Sequence, residues 1–164
     1  MKERNYLSID LGAESGRMVI GTVSSSGIKL NEDHRFPNKQ IYFQGHLHWN
    51  ILDLWQQIKQ GLIKASSKCQ KGLNSIGVDT WGVDFGLVSR DGQILGNPYA
   101  YRDSRTKGMM EKAFRSISKR KIYEQTGIQF LPFNSIYQLL YMVRRQDDLL
   151  KVCDRLLFMP DIFN

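Results

Sequence analysis

Residues 6–23, YLSIDLGAESGRMVIGTV, decide the fold. Tyr6 to Asp10 alternates in the period-two manner of a half-buried strand, and Leu11 to Gly16 then supplies a polar, glycine-bearing turn. Arg17 to Val23 is a second run of strand formers. Ser24, Ser25, Ser26 and Gly27 make the next turn, Ile28 to Phe36 predicts a third strand, and Pro37 stops it. Three strands joined by tight turns form an antiparallel meander. A doubly wound dinucleotide fold is excluded, because its first connection runs from strand to helix. The Leu11 to Arg17 turn also lacks the spacing and the closing Lys of a P-loop.

Beyond the meander the pattern becomes helical. Asn50 suits an N-cap, with Asp53 in the favourable first turn. Ile51, Leu54, Trp55, Ile58, Leu62 and Ala65 share one helical face, and Gly72 marks the exit. Ser75 to Asp79 reads as a short strand of the buried type. Val83 to Val88 reads as another, with Asp91-Gly92 as a hairpin turn and Ile94-Leu95 returning along it. From Asp103 helical spacing resumes, with Met109, Met110, Ala113, Phe114 and Ile117 on one face. Ser118 caps a second helix that closes at Gly127. Asn134 or Ser135 opens a third, whose apolar side is Ile136, Leu139, Leu140 and Val143. Leu156 to Met159 predicts a last strand, and Pro160 suits the first turn of a further helix. This order predicts an α/β domain with a mixed sheet and helices.

Composition excludes several classes. The 164 residues suffice for one core, and 41% apolar with 24% charged residues is ordinary for a globular domain. No apolar run approaches the ~20 residues of a membrane span. The opening MKERNYLSIDLG has no signal-peptide pattern, so the expectation is a cytoplasmic chain with no membrane partner. Cys69 and Cys153 read as reduced thiols. Much of the formal charge of +7 is local: Arg102, Arg105, Lys107, Lys112, Arg115, Lys119, Arg120 and Lys121 stand against Asp103 and Glu111. No aromatic-interleaved reading motif accompanies them, so no nucleic-acid partner is expected. The stretch reads as a solvated helical face or as part of the field around a phosphate ligand.

Two constellations carry chemistry. In Asp10 to Arg17, Gly12 and Gly16 permit positive φ and close approach of backbone N–H groups to an anion, and Ser15 adds a hydroxyl. Arg17 brings a planar fork of donors. Asp10, at the strand end, is placed to hold Mg²⁺. A plain hairpin with a polar turn fits the same spacing. The second constellation is Gly77 to Gly86, GVDTWGVDFG, where Asp79 and Asp84 flank a glycine bend beside Trp81. It reads as an amide-and-aromatic wall for a polyhydroxy ligand, or as a bulged strand with Trp81 in the core.

The ordered set IDLGAESGR, GVDTWGVDFGL, AYRDSRT, TGIQFLPFNSIYQL and LLFMPDIFN resembles the FGGY family of carbohydrate kinases through nearly the whole chain. Within the family it is most similar to members that phosphorylate L-rhamnulose. The resemblance implies an actin-like ATPase domain of the ribonuclease-H-like type, and a small-molecule sugar substrate with ATP and Mg²⁺. Ala13, Glu14, Ser15, Gly16 and Arg17 would form the first phosphate loop around ATP, and Asp10 would sit at the metal. Gly82 would meet the sugar through its backbone, with Trp81, Asp84, Asp103 and Arg105 on the sugar-side wall. Members run to nearly three times this length. The resemblance therefore implies that residues 1–164 are the N-terminal part of a first domain, with the catalytic base beyond Asn164 and the adenosine-binding domain absent.

Three rival readings compete with this one. A kinase of the same family acting on xylulose, fuculose or glycerol shares every motif. A ribonuclease-H-like metal-dependent nuclease would use Asp10 and Asp79 as metal ligands, but has no use for a glycine-lined loop at the first turn. A non-catalytic binding module is the third.

Overall fold

The computed structural model describes residues 2–164. In chain order the elements are β1 (Arg4–Leu11), β2 (Ser15–Ser24), β3 (Gly27–Pro37), β4 (Gln40–Phe43), β5 (His46–Trp49), α1 (Ile51–Lys68), β6 (Ser75–Thr80) and β7 (Phe85–Val88). A 3₁₀ turn (Ser104–Thr106) leads to α2 (Met109–Ser116), α3 (Lys119–Thr126), α4 (Ser135–Arg144), α5 (Leu149–Val152), β8 (Arg155–Phe158) and α6 (Met159–Phe163). These elements divide between two compact units. The first comprises Met1–Gln40, Asn50–Gly82 and Met159–Asn164, and the second Ile41–Trp49 and Val83–Phe158.

The first unit is a four-stranded mixed sheet in the order β3-β2-β1-β6. The meander forms as the sequence predicts, with β1 antiparallel to β2 from Arg4↔Val23 to Leu11↔Gly16. β6 joins β1 in parallel, from Tyr6↔Ser75 to Leu11↔Thr80. Alternation along β1 turns Leu7, Ile9 and Leu11 into a core shared with Met18, Ile20 and Phe36 and with Leu54, Ile58 and Ala65 of α1. Asp10 therefore lies on the sheet face opposite α1. Gly61 lets α1 close on the sheet, since a Cβ there would fall 1.8 Å from Met18 Sδ. Asn50 caps α1 through Asn50 Oδ1, which accepts from Asp53 N at 3.2 Å. Lys68, in its last turn, pairs with Asp33 of β3.

The second unit holds the β4–β5 hairpin and an antiparallel β7–β8 pair, Phe85↔Phe158 to Val88↔Arg155. Phe85, Leu87 and Met142 form its core, with Leu139, Leu150 and Leu156 packed against them. α3 is punctuated as predicted, with Ser118 Oγ accepting from Lys121 N and Gly127 left-handed at φ 63°. The basic stretch is a solvated surface apart from Arg105, which is buried.

Several expectations are corrected. Ser75–Thr80 is largely exposed rather than buried, because it pairs only with β1 among the described residues and stands at the sheet's edge. The strand expected from Val83 begins at Phe85, because Val83 is left-handed at φ 67°. Helix does not resume at Asp103. Asp103 caps a 3₁₀ turn, and α2 starts only after Gly108 at φ 75°. The buried side of α4 is Tyr137, Gln138 and Met142, while Ile136 and Val143 are 47% and 61% exposed. The β4–β5 hairpin and the short α5 are additions that the sequence reading did not contain.

Candidate active site

At the tip of β1–β2 the turn is only Gly12, Ala13 and Glu14. Gly12 N donates to Ser15 O at 2.9 Å and closes it. Asn38 clamps it from the end of β3: its Nδ2 donates to Gly12 O and its N to Glu14 O, both at 2.9 Å. Neither Gly12 nor Gly16 adopts positive φ, contrary to the expectation. Both are required by space. A Cβ on Gly12 would sit 2.9 Å from Ser15 O, and one on Gly16 would enter the Phe36 ring at 2.3 Å from its Cζ. The glycines make a tight, supported tip on which Ala13, Glu14 and Ser15 are displayed.

Below the tip, register brings the charged groups together. Asp10 is paired with Arg17 on one side and Asp79 on the other. In-register residues of neighbouring strands point to the same face about 4.8 Å apart. Arg17 Nε donates to Asp10 Oδ2 at 2.8 Å, with side chains 49% and 41% exposed. An ion pair so open to water contributes about 0–1 kcal/mol, so Arg17 can exchange Asp10 for a phosphate oxygen at little cost. Asp79 Oδ1 accepts from Thr80 N at 2.9 Å. Two accessible carboxylates suit Mg²⁺, which keeps several waters and takes its remaining ligands from phosphate. Among the described residues no three His, Cys, Asp or Glu gather into a cage. Trp81 N donates to Leu11 O at 3.1 Å, and its ring packs on the core beneath β1. Gly82 follows in the open, with nothing within 4 Å of where its Cβ would be.

The second unit gathers Asp84, Asp103 and Arg105 around a residue that sequence reasoning missed, Gln138. Asp84 is fully buried. Trp49 Nε1 donates to its Oδ2 at 2.6 Å, Tyr101 N to the same oxygen at 3.0 Å, and Gln138 Nε2 to its Oδ1 at 2.9 Å. Gln138 Oε1 accepts from Arg105 Nη2 at 2.5 Å, which fixes the amide with its NH₂ toward Asp84. The Arg105 guanidinium lies over the Tyr99 ring at 3.9 Å, and its Nη1 is buried without a hydrogen-bond partner. Burial pulls the Arg105 pKa down from its ordinary value, opposed by Tyr99, Asp103 and Asp84. Asp103 accepts from Leu47 N at 2.7 Å and Arg105 N at 2.9 Å, and pairs with His46 Nδ1 at 3.1 Å. Burial pushes the Asp103 carboxyl up, but those amides and His46 outweigh it and hold it below the ordinary carboxylate range. The three charged side chains expected on a sugar wall are thus committed to their own unit.

The sequence pattern of the FGGY family of carbohydrate kinases, N-terminal domain, matches residues 5–164. The chain belongs to that family. It is 45% identical over 159 residues to a rhamnulokinase from Bacteroides thetaiotaomicron, a match covering 97% of this chain and 33% of that protein. Among solved structures it resembles a gluconate kinase from Lactobacillus acidophilus, with a TM-score of 0.79 at 14% identity over 95% of this chain and 31% of the other. A ligand-bound xylulose kinase from the same organism gives 0.77 at 14% identity, over 93% and 31%. At that identity the structures establish the fold, which is the actin-like ATPase class that the resemblance implied. The chain spans about a third of the length of these relatives. No helix among the described residues is long and apolar enough to cross a membrane.

Proposed function

We propose that this FGGY chain is the N-terminal part of an ATP-dependent sugar kinase that transfers the γ-phosphoryl group of ATP to the 1-hydroxyl of L-rhamnulose. The observation that carries the reading is the end of β1, where Asp10, Asp79 and Arg17 share one face below the Gly12–Glu14 tip. Phosphoryl transfer asks a protein mainly to position the phosphate and neutralise its oxygens. In this reading Ala13, Glu14, Ser15, Gly16 and Arg17 hold the ATP phosphates, with Arg17 released from Asp10 to do so. Asp10, with Asp79 beside it, holds Mg²⁺, which when bound neutralises charge on the phosphate oxygens. Gly82 meets the sugar through its backbone and Trp81 stands beside it. Asp84, Asp103 and Arg105 brace their own unit through Gln138, Trp49, Tyr101, Leu47 and His46. The adenosine-binding domain and the base that accepts the proton of the attacking hydroxyl lie outside these residues.

L-Rhamnulose is favoured over other sugars by the 45% identity to a rhamnulokinase, against 14% to the gluconate and xylulose kinases. A panel of L-rhamnulose, L-fuculose, D-xylulose and glycerol, offered to the complete protein with ATP and Mg²⁺, should give L-rhamnulose the highest kcat/KM by at least about tenfold, roughly 1.4 kcal/mol of transition-state discrimination. A higher value for any other member would reassign the substrate.

Gly82 gives a second test. Nothing in the fold obstructs a side chain there, so Gly82→Val is expected to fold normally. It should raise KM for sugar by about tenfold or more and KM for ATP by less than about twofold. Equal effects on the two substrates would remove Gly82 from the sugar contact.

A further inference from the structure

We infer that His46 and His48 form a binding site for a transition-metal ion of the Zn²⁺ type, built wholly within the second unit. The two histidines are alternate residues of β5, so strand alternation sends both rings to one face. Leu47 and Trp49 take the other face, where Trp49 is fully buried and donates to Asp84. Tyr99 is the antiparallel register partner of His48. Its ring centroid lies 4.5 Å from that of His48 and 5.3 Å from that of His46, so it steadies both imidazoles.

Hydrogen bonding decides what each ring can do. His46 Nδ1 lies 3.1 Å from Asp103 Oδ1, and His48 Nδ1 lies 3.0 Å from Asn97 O. A backbone carbonyl only accepts, and so does an ionised carboxylate, so Nδ1 carries the proton in both rings. In the neutral imidazoles each Nε2 is then a lone pair, and neither has a hydrogen-bond partner among the described residues. A carboxylate or carbonyl on the far nitrogen is the arrangement that orients metal-binding histidines and raises their basicity. The chain's third histidine supplies the contrast. His34 has Gln57 Oε1 3.1 Å from its Nε2 and Lys64 Nζ 3.0 Å from its Nδ1, so both nitrogens are taken.

His46 and His48 line one cavity of about 430 Å³, together with Phe43, Gln44, Asn97 and Tyr99. Their ring centroids are 6.5 Å apart. Two imidazoles sharing an ion through Nε2 at ~2.1 Å have centroids roughly 5–6.5 Å apart, from tetrahedral to in-line coordination. The rings therefore need to close by no more than about 1.5 Å to share one. Imidazole nitrogen suits Zn²⁺, Cu²⁺ and Ni²⁺, whereas Mg²⁺ asks for oxygen. Two protein ligands leave the ion's other positions to water, so the site exchanges its metal and does not depend on it for folding.

The test is calorimetric titration of ZnCl₂ into the untagged complete protein, in excess Mg²⁺ to occupy carboxylate sites. The variants are His46→Asn and His48→Asn. Asparagine Nδ2 stands where imidazole Nδ1 stood, so each variant keeps the donor to Asp103 or to Asn97 O and loses only Nε2. Each should weaken this binding event at least about tenfold, the smallest loss usual even for a change outside the ligands themselves. Their unfolding temperatures without metal should stay within about 2 °C of the unaltered protein. In ¹⁵N NMR of the unaltered protein, Zn²⁺ should move the Nε2 resonances of both His46 and His48 and leave those of His34 in place. Equal Zn²⁺ affinity in either variant overturns the inference, as does a shift at only one of the two rings. Should a variant lose its fold, the two Nε2 resonances of the unaltered protein decide alone. No kinase activity enters the readout, so the test is independent of the sugar and the phosphate sites.

Discussion

Asp10→Asn in the complete kinase is expected to lower kcat about a thousandfold while sugar KM moves less than about threefold. Asparagine keeps the size of the side chain and its place opposite Arg17 and Asp79. What it removes is one negative charge at the point proposed to hold the metal and the transferred phosphoryl group. A hard divalent ion prefers carboxylate oxygen to amide oxygen, and each tenfold of rate is about 1.4 kcal/mol, so the loss asks for roughly 4 kcal/mol of transition-state stabilisation. The fold should tolerate the change, because the Asp10–Arg17 pair is half open to water and contributes about 0–1 kcal/mol. Steady-state kinetics over a range of Mg²⁺ concentrations checks it. Near-normal turnover in the variant would remove Asp10 from the mechanism.

Asp84→Ala should produce the largest loss of stability, at least about 3 kcal/mol. Its carboxylate is fully buried and receives the Trp49 indole, the Tyr101 amide and the Gln138 amide. Alanine leaves the Trp49 indole and the Tyr101 amide without this acceptor, at about 1–3 kcal/mol apiece, while Gln138 Nε2 keeps the Phe133 and Val83 carbonyls. Asp84 is also one of the negative charges that offset the buried Arg105 guanidinium, so its removal leaves that cation less compensated. Against a typical total of about 5–15 kcal/mol, such a loss is large. Urea denaturation of the two proteins measures it. A shift below about 1 kcal/mol would show that Asp84 is not the keystone of the second unit.

The meander was legible in the sequence because its signals are local. Period-two alternation in residues 6–23 and the Ser24–Gly27 turn define strands whatever lies around them. Ser118 and Gly127 punctuate α3 for the same reason. The α4 face was not legible, because Gln138 is buried by virtue of Asp84, 54 residues away. A periodicity count assigns a glutamine to solvent and rotates the helix accordingly. The hairpin at residues 40–49 escaped because Tyr42 and Phe43 remain 73% and 61% exposed, so its apolar residues follow no burial pattern. At Gly12 and Gly16 the sequence suggested positive φ as the reason for glycine, whereas in the fold the reason is lack of space. Glycine signals either positive φ or lack of space, and only the neighbouring Ser15 carbonyl and Phe36 ring decide between them. For Asp10 and Arg17 the motif marked residues that strand register sets side by side, whereas Asp84, Asp103 and Arg105 find their partners Gln138 and His46 far away in sequence.

In the proposed function, residues 1–164 carry the phosphate-and-metal end of a sugar kinase whose base and adenosine pocket lie outside these residues. Its most direct test is sugar-dependent ADP release with L-rhamnulose, measured on residues 1–164 beside the complete protein under the same ATP and Mg²⁺. The complete protein should release one ADP for each sugar phosphate formed. Residues 1–164 should release none above background, since general-base assistance alone is commonly worth about 100-fold to 10,000-fold, and without the opposing domain no closure excludes water. Turnover by residues 1–164 within about tenfold of the complete enzyme would contradict the account and place the base inside this chain, with Asp79 the first candidate.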